Sequence, residues 1–144
     1  MDHEITSNKL GGEALGWDWF AVALDDRSEL MVYQLRNKQG GKTPFSSGSI
    51  IAADGEVTHL NADDFSIAET GKWRSPKSGI TYPSGWRVSV PKAGLNLKID
   101  PTVRAQELLT PGSTGVTYWE GRCLVSDGGE RPIGKAYVEL VGYN

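Results

Sequence analysis

Apolar and polar residues alternate with a period of two along most of this 144-residue chain. Trp17–Leu24 (WDWFAVAL) and Glu29–Arg36 (ELMVYQLR) are two such runs, and the turn-forming Asp25-Asp26-Arg27-Ser28 between them predicts an antiparallel hairpin. Ser47–Ala53 and Glu56–Leu60 flank Asp54-Gly55, a dipeptide suited to the positive φ of a tight hairpin turn. Phe65–Glu69 predicts a further short strand. Trp86–Val90 and Leu95–Ile99 enclose Pro91-Lys92-Ala93-Gly94, and Tyr118–Val125 and Lys135–Tyr143 enclose a glycine-rich turn. Helical periodicity is nearly absent; only Val103–Leu109, bracketed by Pro101 and Pro111, could make a turn or two of helix. About nine strands at regular spacing predict an all-β sandwich or a closed antiparallel barrel. No repeat or linker divides the chain, so residues 1–144 are read as one domain.

The closing hairpin poses a question, because Glu120 and Glu139 sit among large aromatic and aliphatic residues. In an antiparallel barrel, strand residues face alternately in and out, and about eight strands leave room for one small ligand. The glutamates then either line a wet or ligand-filled cavity as acid–base groups or meet solvent on the outside; alternation alone does not say which parity faces in. Trp17 and Trp19 share one face of their strand, as core packing or as an aromatic wall for a ligand, and Trp119 raises the same choice. Tyr33, Arg36 and Tyr137 complete the candidate ligand-binding set. Asp18 points away from the two tryptophans, toward solvent on the simplest reading. Arg36 is either solvated or paired with Glu107 at a barrel end.

Composition narrows the chemistry. A net charge of -3 argues against binding a phosphate backbone, which favours a basic surface. No run approaches the roughly 20 apolar residues of a membrane-spanning helix. The opening MDHEITSNKLGG has no basic and apolar stretches of a signal peptide, and the single cysteine, Cys123, forms no internal disulfide. A soluble cytoplasmic protein is expected. Two distant histidines, His3 and His59, and one cysteine make no metal-ligand spacing. There is no Gly-x-Ser-x-Gly elbow, and Gly40-Gly41-Lys42 lacks the rest of a phosphate-binding loop. No metal or other cofactor is expected. His3, between Asp2 and Glu4, is a third candidate acid–base group.

GWDWFAVALDDRSELMVYQLR, SGWRVSVPKAGLNLKIDP and TYWEGRCLVSDG followed by IGKAYVELVGY resemble, in order, the carotenoid 1,2-hydratase (hydroxyneurosporene synthase)/AttH-like family. The resemblance implies an antiparallel lipocalin-like barrel of about eight to ten strands with one short helix, similar to the second of two tandem barrels. It also implies an acid that protonates an isolated alkene, with a His-x-Trp pair near the barrel entry and a Tyr-x-Asp pair on the next hairpin. His3 and Tyr33 take the first place of each pair, but Ile5 and Leu35 stand in the second, a departure from that pattern. Three readings follow. The first is a module binding a small apolar or amphiphilic molecule in the barrel. The second is a hydratase or isomerase using His3, Glu120 or Glu139. The third is a structural half that covers its exposed face by forming a homodimer.

Overall fold

A computed structural model describes residues 14–110, 112, 115–129 and 131–143. Among these the protein is almost entirely antiparallel sheet. The first hairpin pairs β1 (Ala14–Leu24) with β2 (Glu29–Asn37), and β3 (Ser47–Ile51) and β4 (Val57–Leu60) continue the meander. After a 3-10 turn at Ala62–Asp64 come β5 (Ser66–Glu69), β6 (Lys72–Arg74), β7 (Thr81–Pro83) and β8 (Trp86–Val90). A second 3-10 turn at Pro91–Ala93 leads to β9 (Leu95–Pro101), β10 (Glu107–Leu109), β11 (Thr117–Ser126) and β12 (Pro132–Val141).

The main sheet runs β4-β3-β2-β1-β12-β11-β9-β8-β5, with β10 also on β11, while β6 and β7 form a separate ribbon. First and last strands pair (Phe20 opposite Val138) in the middle of this order. The two edges, β4 and β5, are consecutive in the chain, and Phe20 of β1 packs on Trp86 of β8, so the sheet curls round into a lipocalin-like barrel. Its hydrogen-bonded ladder is open between β4 and β5. There the chain turns the corner through Ala62–Asp64, tied down by Lys42, whose ammonium donates to the carbonyls of Ala62 and Phe65. Lys92 braces the same corner by a 3.0 Å ion pair with Asp64.

The residues expected to turn helical do not. Thr102–Gln106 loops out, and Glu107–Leu109 rejoins the edge of β11 below β9, so the two strands act as one interrupted strand. Pro101 is the last residue of β9, opposite Cys123, and its missing N–H ends the ladder there, while Pro111 lies outside the described residues. Both helical turns lie elsewhere, and no helix among the described residues is long and apolar enough to cross a membrane.

One parity of each strand fills the interior: Phe20 and Val22 from β1, Leu30 and Val32 from β2, Cys123 and Val125 from β11, Val138 and Leu140 from β12. Two tryptophans occupy the centre. Trp86 meets Phe20 edge-on at 5.4 Å between ring centroids and lies 6.0 Å from Trp119. The barrel is therefore packed with side chains, as small barrels are when their inward residues are large. Cys123 serves as a small buried filler whose thiol is pushed up to about 12, first by burial and then by the charge of Asp100.

Candidate functional site

The two ends of the barrel differ. At the end where β1 begins and β2 and β12 finish, inward parity brings polar groups together. Asp18 is 4% exposed, not on the surface, and Arg36 is 7% exposed. Arg36 Nε donates to Asp18 Oδ1 at 3.1 Å, and the Tyr143 hydroxyl donates to the same oxygen at 2.9 Å. The Arg36 guanidinium also donates to the carbonyls of Val141 and Gly142 and lies 3.9 Å from the centre of the Tyr143 ring. Burial pushes the Asp18 carboxyl above its ordinary value, and the attraction of Arg36 and the hydrogen bond from Tyr143 only partly offset it. Burial, then the Asp18 charge, raises the Tyr143 phenol. Gly16 makes this packing feasible, since a Cβ there would collide with the Val141 carbonyl and the Arg36 guanidinium.

Glu107 is not the partner of Arg36. The two lie on strands separated by β1, β12 and β11. Glu107 instead accepts hydrogen bonds from the hydroxyls of Ser75 (2.5 Å), Ser78 and Tyr82 (3.0 Å). Burial works to raise its carboxyl, but these hydroxyls, with Lys77 nearby, outweigh it and hold the group below its ordinary value. The Ser75 hydroxyl also accepts from the backbone of Lys77 and Ser78, so Glu107 anchors the turn between β6 and β7 to the barrel. Trp73 stacks on Tyr82 at 6.2 Å, and Tyr82 lies 5.7 Å from Tyr143, joining the two polar clusters through one aromatic row.

At the opposite end, where hairpin turns gather, a recess of about 410 Å³ opens between Leu24, Leu95 and Ile133, with Asp25, Asp26, Arg131 and Pro132 around it. Its rim is held by side-chain-to-backbone bonds typical of Asx turns. Asp26 accepts from the Ser28 amide at 2.9 Å, while Asp127 accepts from the amides of Gly129 and Arg131 and from the Arg131 guanidinium at 3.1 Å. These bonds hold both carboxyls below their ordinary values, the Ser28 side chain being the largest cause for Asp26 and the Arg131 amide for Asp127. Arg27 takes a positive φ of 71° to close the first turn.

The expected site residues divide between two surfaces. Trp119 lies inside, 1% exposed, with its indole donating to the Arg104 carbonyl at 2.7 Å, and Arg36 lies inside with Asp18. Trp17, Trp19, Tyr33, Tyr137, Glu120 and Glu139 have the other parity and meet on the outer face of β2-β1-β12-β11. Register sets them in rows: Tyr33, Trp19, Glu139 and Glu120 lie side by side, followed toward the turns by Met31, Ala21, Tyr137 and Arg122, then by Glu29, Ala23, Lys135 and Leu124. The two glutamates thus face away from the interior, directly opposite one another. Burial first, then these carboxylates, raises the phenols of Tyr118 and Tyr137. His3 lies outside the described residues. The turn-end recess, the burial of Asp18 and the part of Tyr143 were missed from sequence. The available signal for the recess was that Leu24, Leu95 and Ile133 are each an apolar residue bordering a turn.

An antiparallel meander curled into a barrel, with its first and last strands paired, has the fold of a lipocalin-like protein. The model of the AttH-like family matches residues 1–143, and the chain belongs to that family. It is similar to a protein from Nitrosomonas europaea assigned as an AttH, with 33% identity and a TM-score of 0.86 over 96% of this chain and 42% of that one. It shares its fold with kievitone hydratase from Nectria haematococca, with 18% identity and a TM-score of 0.67 over 93% of this chain and 41% of that one. The chain thus spans about two fifths of the length of each. No curated protein matches it.

Proposed function

We propose that this chain is a lipocalin-like module that takes a small, largely apolar molecule at the turn end of its barrel. The recess floored by Leu24, Leu95 and Ile133 carries this reading. Its volume of about 410 Å³ falls within the roughly 300–1,000 Å³ of small-molecule pockets, and an apolar floor under a few placed charges is their usual lining. Because Trp86 and Trp119 fill the centre, the ligand lodges at the end of the barrel, with a polar head among Asp25, Asp26 and Arg131. The rim turns are already hydrogen-bonded, so little ordering is lost on binding. Titration with an environment-sensitive fluorescent fatty acid is expected to saturate with one molecule per chain. An Ile133→Arg variant, which puts a charge on the floor, is expected to weaken binding by about tenfold or more. Absence of saturable binding by fatty acids, isoprenoid alcohols and aromatic amphiphiles defeats the reading.

A second reading, hydration of an isoprenoid-like alkene, draws on the buried Asp18, whose raised carboxyl suits an acid that must keep its proton until it acts. Kievitone hydratase shares the fold. Glu120 and Glu139 are the other carboxylates this reading offers. Incubation with isoprenoid alkenes in oxygen-18 water is expected to give labelled tertiary alcohol, lost in whichever of Asp18→Asn, Glu120→Gln and Glu139→Gln removes the acid. Unlabelled substrate throughout ends this reading and leaves the binding module standing.

A further inference from the structure

The outer face of β2-β1-β12-β11 is too aromatic for a surface left to water. Tyr137 is 43% exposed, with Trp17, Trp19, Tyr33 and Tyr118 half-buried around it. Contiguous apolar patches of this kind mark interaction sites. Its relief is specific. The two small residues of β1, Ala21 and Ala23, form the bed of a trough of about 320 Å³, walled by Met31 and Ile51 on one side and Tyr137 and Lys135 on the other.

We propose that this face docks a second copy of the same chain across a two-fold axis lying across the strands, level with Ala21 and Tyr137. A two-fold interface needs one surface to carry both halves of every contact. This face does so on its two central strands, β1 and β12. Trp19 and Ala23 lie equally far on either side of Ala21, and Glu139 and Lys135 equally far on either side of Tyr137. The axis exchanges these positions. Each Trp19 then enters the partner's trough over Ala23, and each Glu139 faces the partner's Lys135. A large ring meets a hole and an acid meets a base, twice each. A ligand or an unrelated protein has no need of both members of each pair on one surface. The match covers 42% and 41% of the two solved relatives' chains, so a further segment of a longer polypeptide is the alternative occupant against which the dimer is tested.

Light scattering coupled to gel filtration tests this on the chain itself. The expected mass at high micromolar concentration is twice 15.6 kDa. Glu139→Lys and Lys135→Glu each set like charges across the axis and are expected to weaken the dimer by about tenfold or more. The double variant, which exchanges the signs, is expected to restore it. Circular dichroism on each variant confirms that the barrel is intact, and Trp19→Ala, leaving all charges in place, is expected to weaken the dimer independently. A wild-type monomer at several hundred micromolar overturns the proposal, as does a double variant no tighter than the singles.

Discussion

Replacing Asp18 by alanine is expected to destabilise the protein by about 3–5 kcal/mol, because it strands the Arg36 guanidinium inside the barrel without its counter-charge. The penalty is read from urea or guanidinium unfolding curves at neutral pH. The pair is not itself a large source of stability: burial raises the Asp18 carboxyl despite the adjacent guanidinium, so desolvation costs more than the attraction returns. The double variant Asp18→Leu with Arg36→Met is therefore expected to recover most of the loss, leaving the Tyr143 hydroxyl and the Val141 and Gly142 carbonyls to replace the bonds they made to this pair. The pH dependence has a definite sign. With its folded pKa above the unfolded one, Asp18 contributes stability that is fully present below the unfolded pKa and is lost as pH rises through the folded pKa. The advantage of wild type over Asp18→Asn should narrow from acid toward neutral pH. A gap that widens instead would mean that Arg36 governs this carboxyl and burial does not.

Trp86→Ala is expected to cost about 3–5 kcal/mol, the range for truncating a large aromatic in a packed core. Its ring is 1% exposed and touches both Phe20 and Trp119. The measurement also separates two kinds of barrel. In a hollow one the indole would line an existing space and its loss would be mild. In a filled one it leaves a new cavity whose surroundings relax only in part. A loss below about 1 kcal/mol would show that the interior is not close-packed. It would also return the ligand from the turn end to the centre of the barrel.

The strand pattern was legible wherever a run was long enough to show its period. Trp86–Val90 forms as expected, and the runs around Asp25–Ser28, Asp54-Gly55, Pro91–Gly94 and the last turn become hairpins within a few residues of their predicted bounds. Three strands were not seen: Lys72–Arg74, Thr81–Pro83 and Glu107–Leu109. Each has three residues, too few for alternation to register, and a lysine, an arginine or a proline obscures two of them. They form because neighbours supply what the local sequence lacks. Glu107 holds the β6-β7 turn through Ser75 and Ser78, and β11 offers a free edge to β10.

The amino-acid sequence by itself determined that this chain folds as antiparallel hairpins, since two-residue alternation and turn chemistry are local properties; the lipocalin-like barrel followed from the resemblance of its motifs to the AttH-like family and not from the alternation. Only the tertiary structure decided which side of each strand looks inward. On β1 one parity offers Trp17, Trp19 and Ala21 and the other Asp18, Phe20 and Val22; both have large apolar residues, so local hydrophobicity does not choose between them. The choice is made by fit across the barrel. Phe20 meets Trp86, and Asp18 finds Arg36 and Tyr143, residues far away in sequence. Because a strand's two faces are bound together, that fit turns Glu120, Glu139 and the tryptophans of β1 outward.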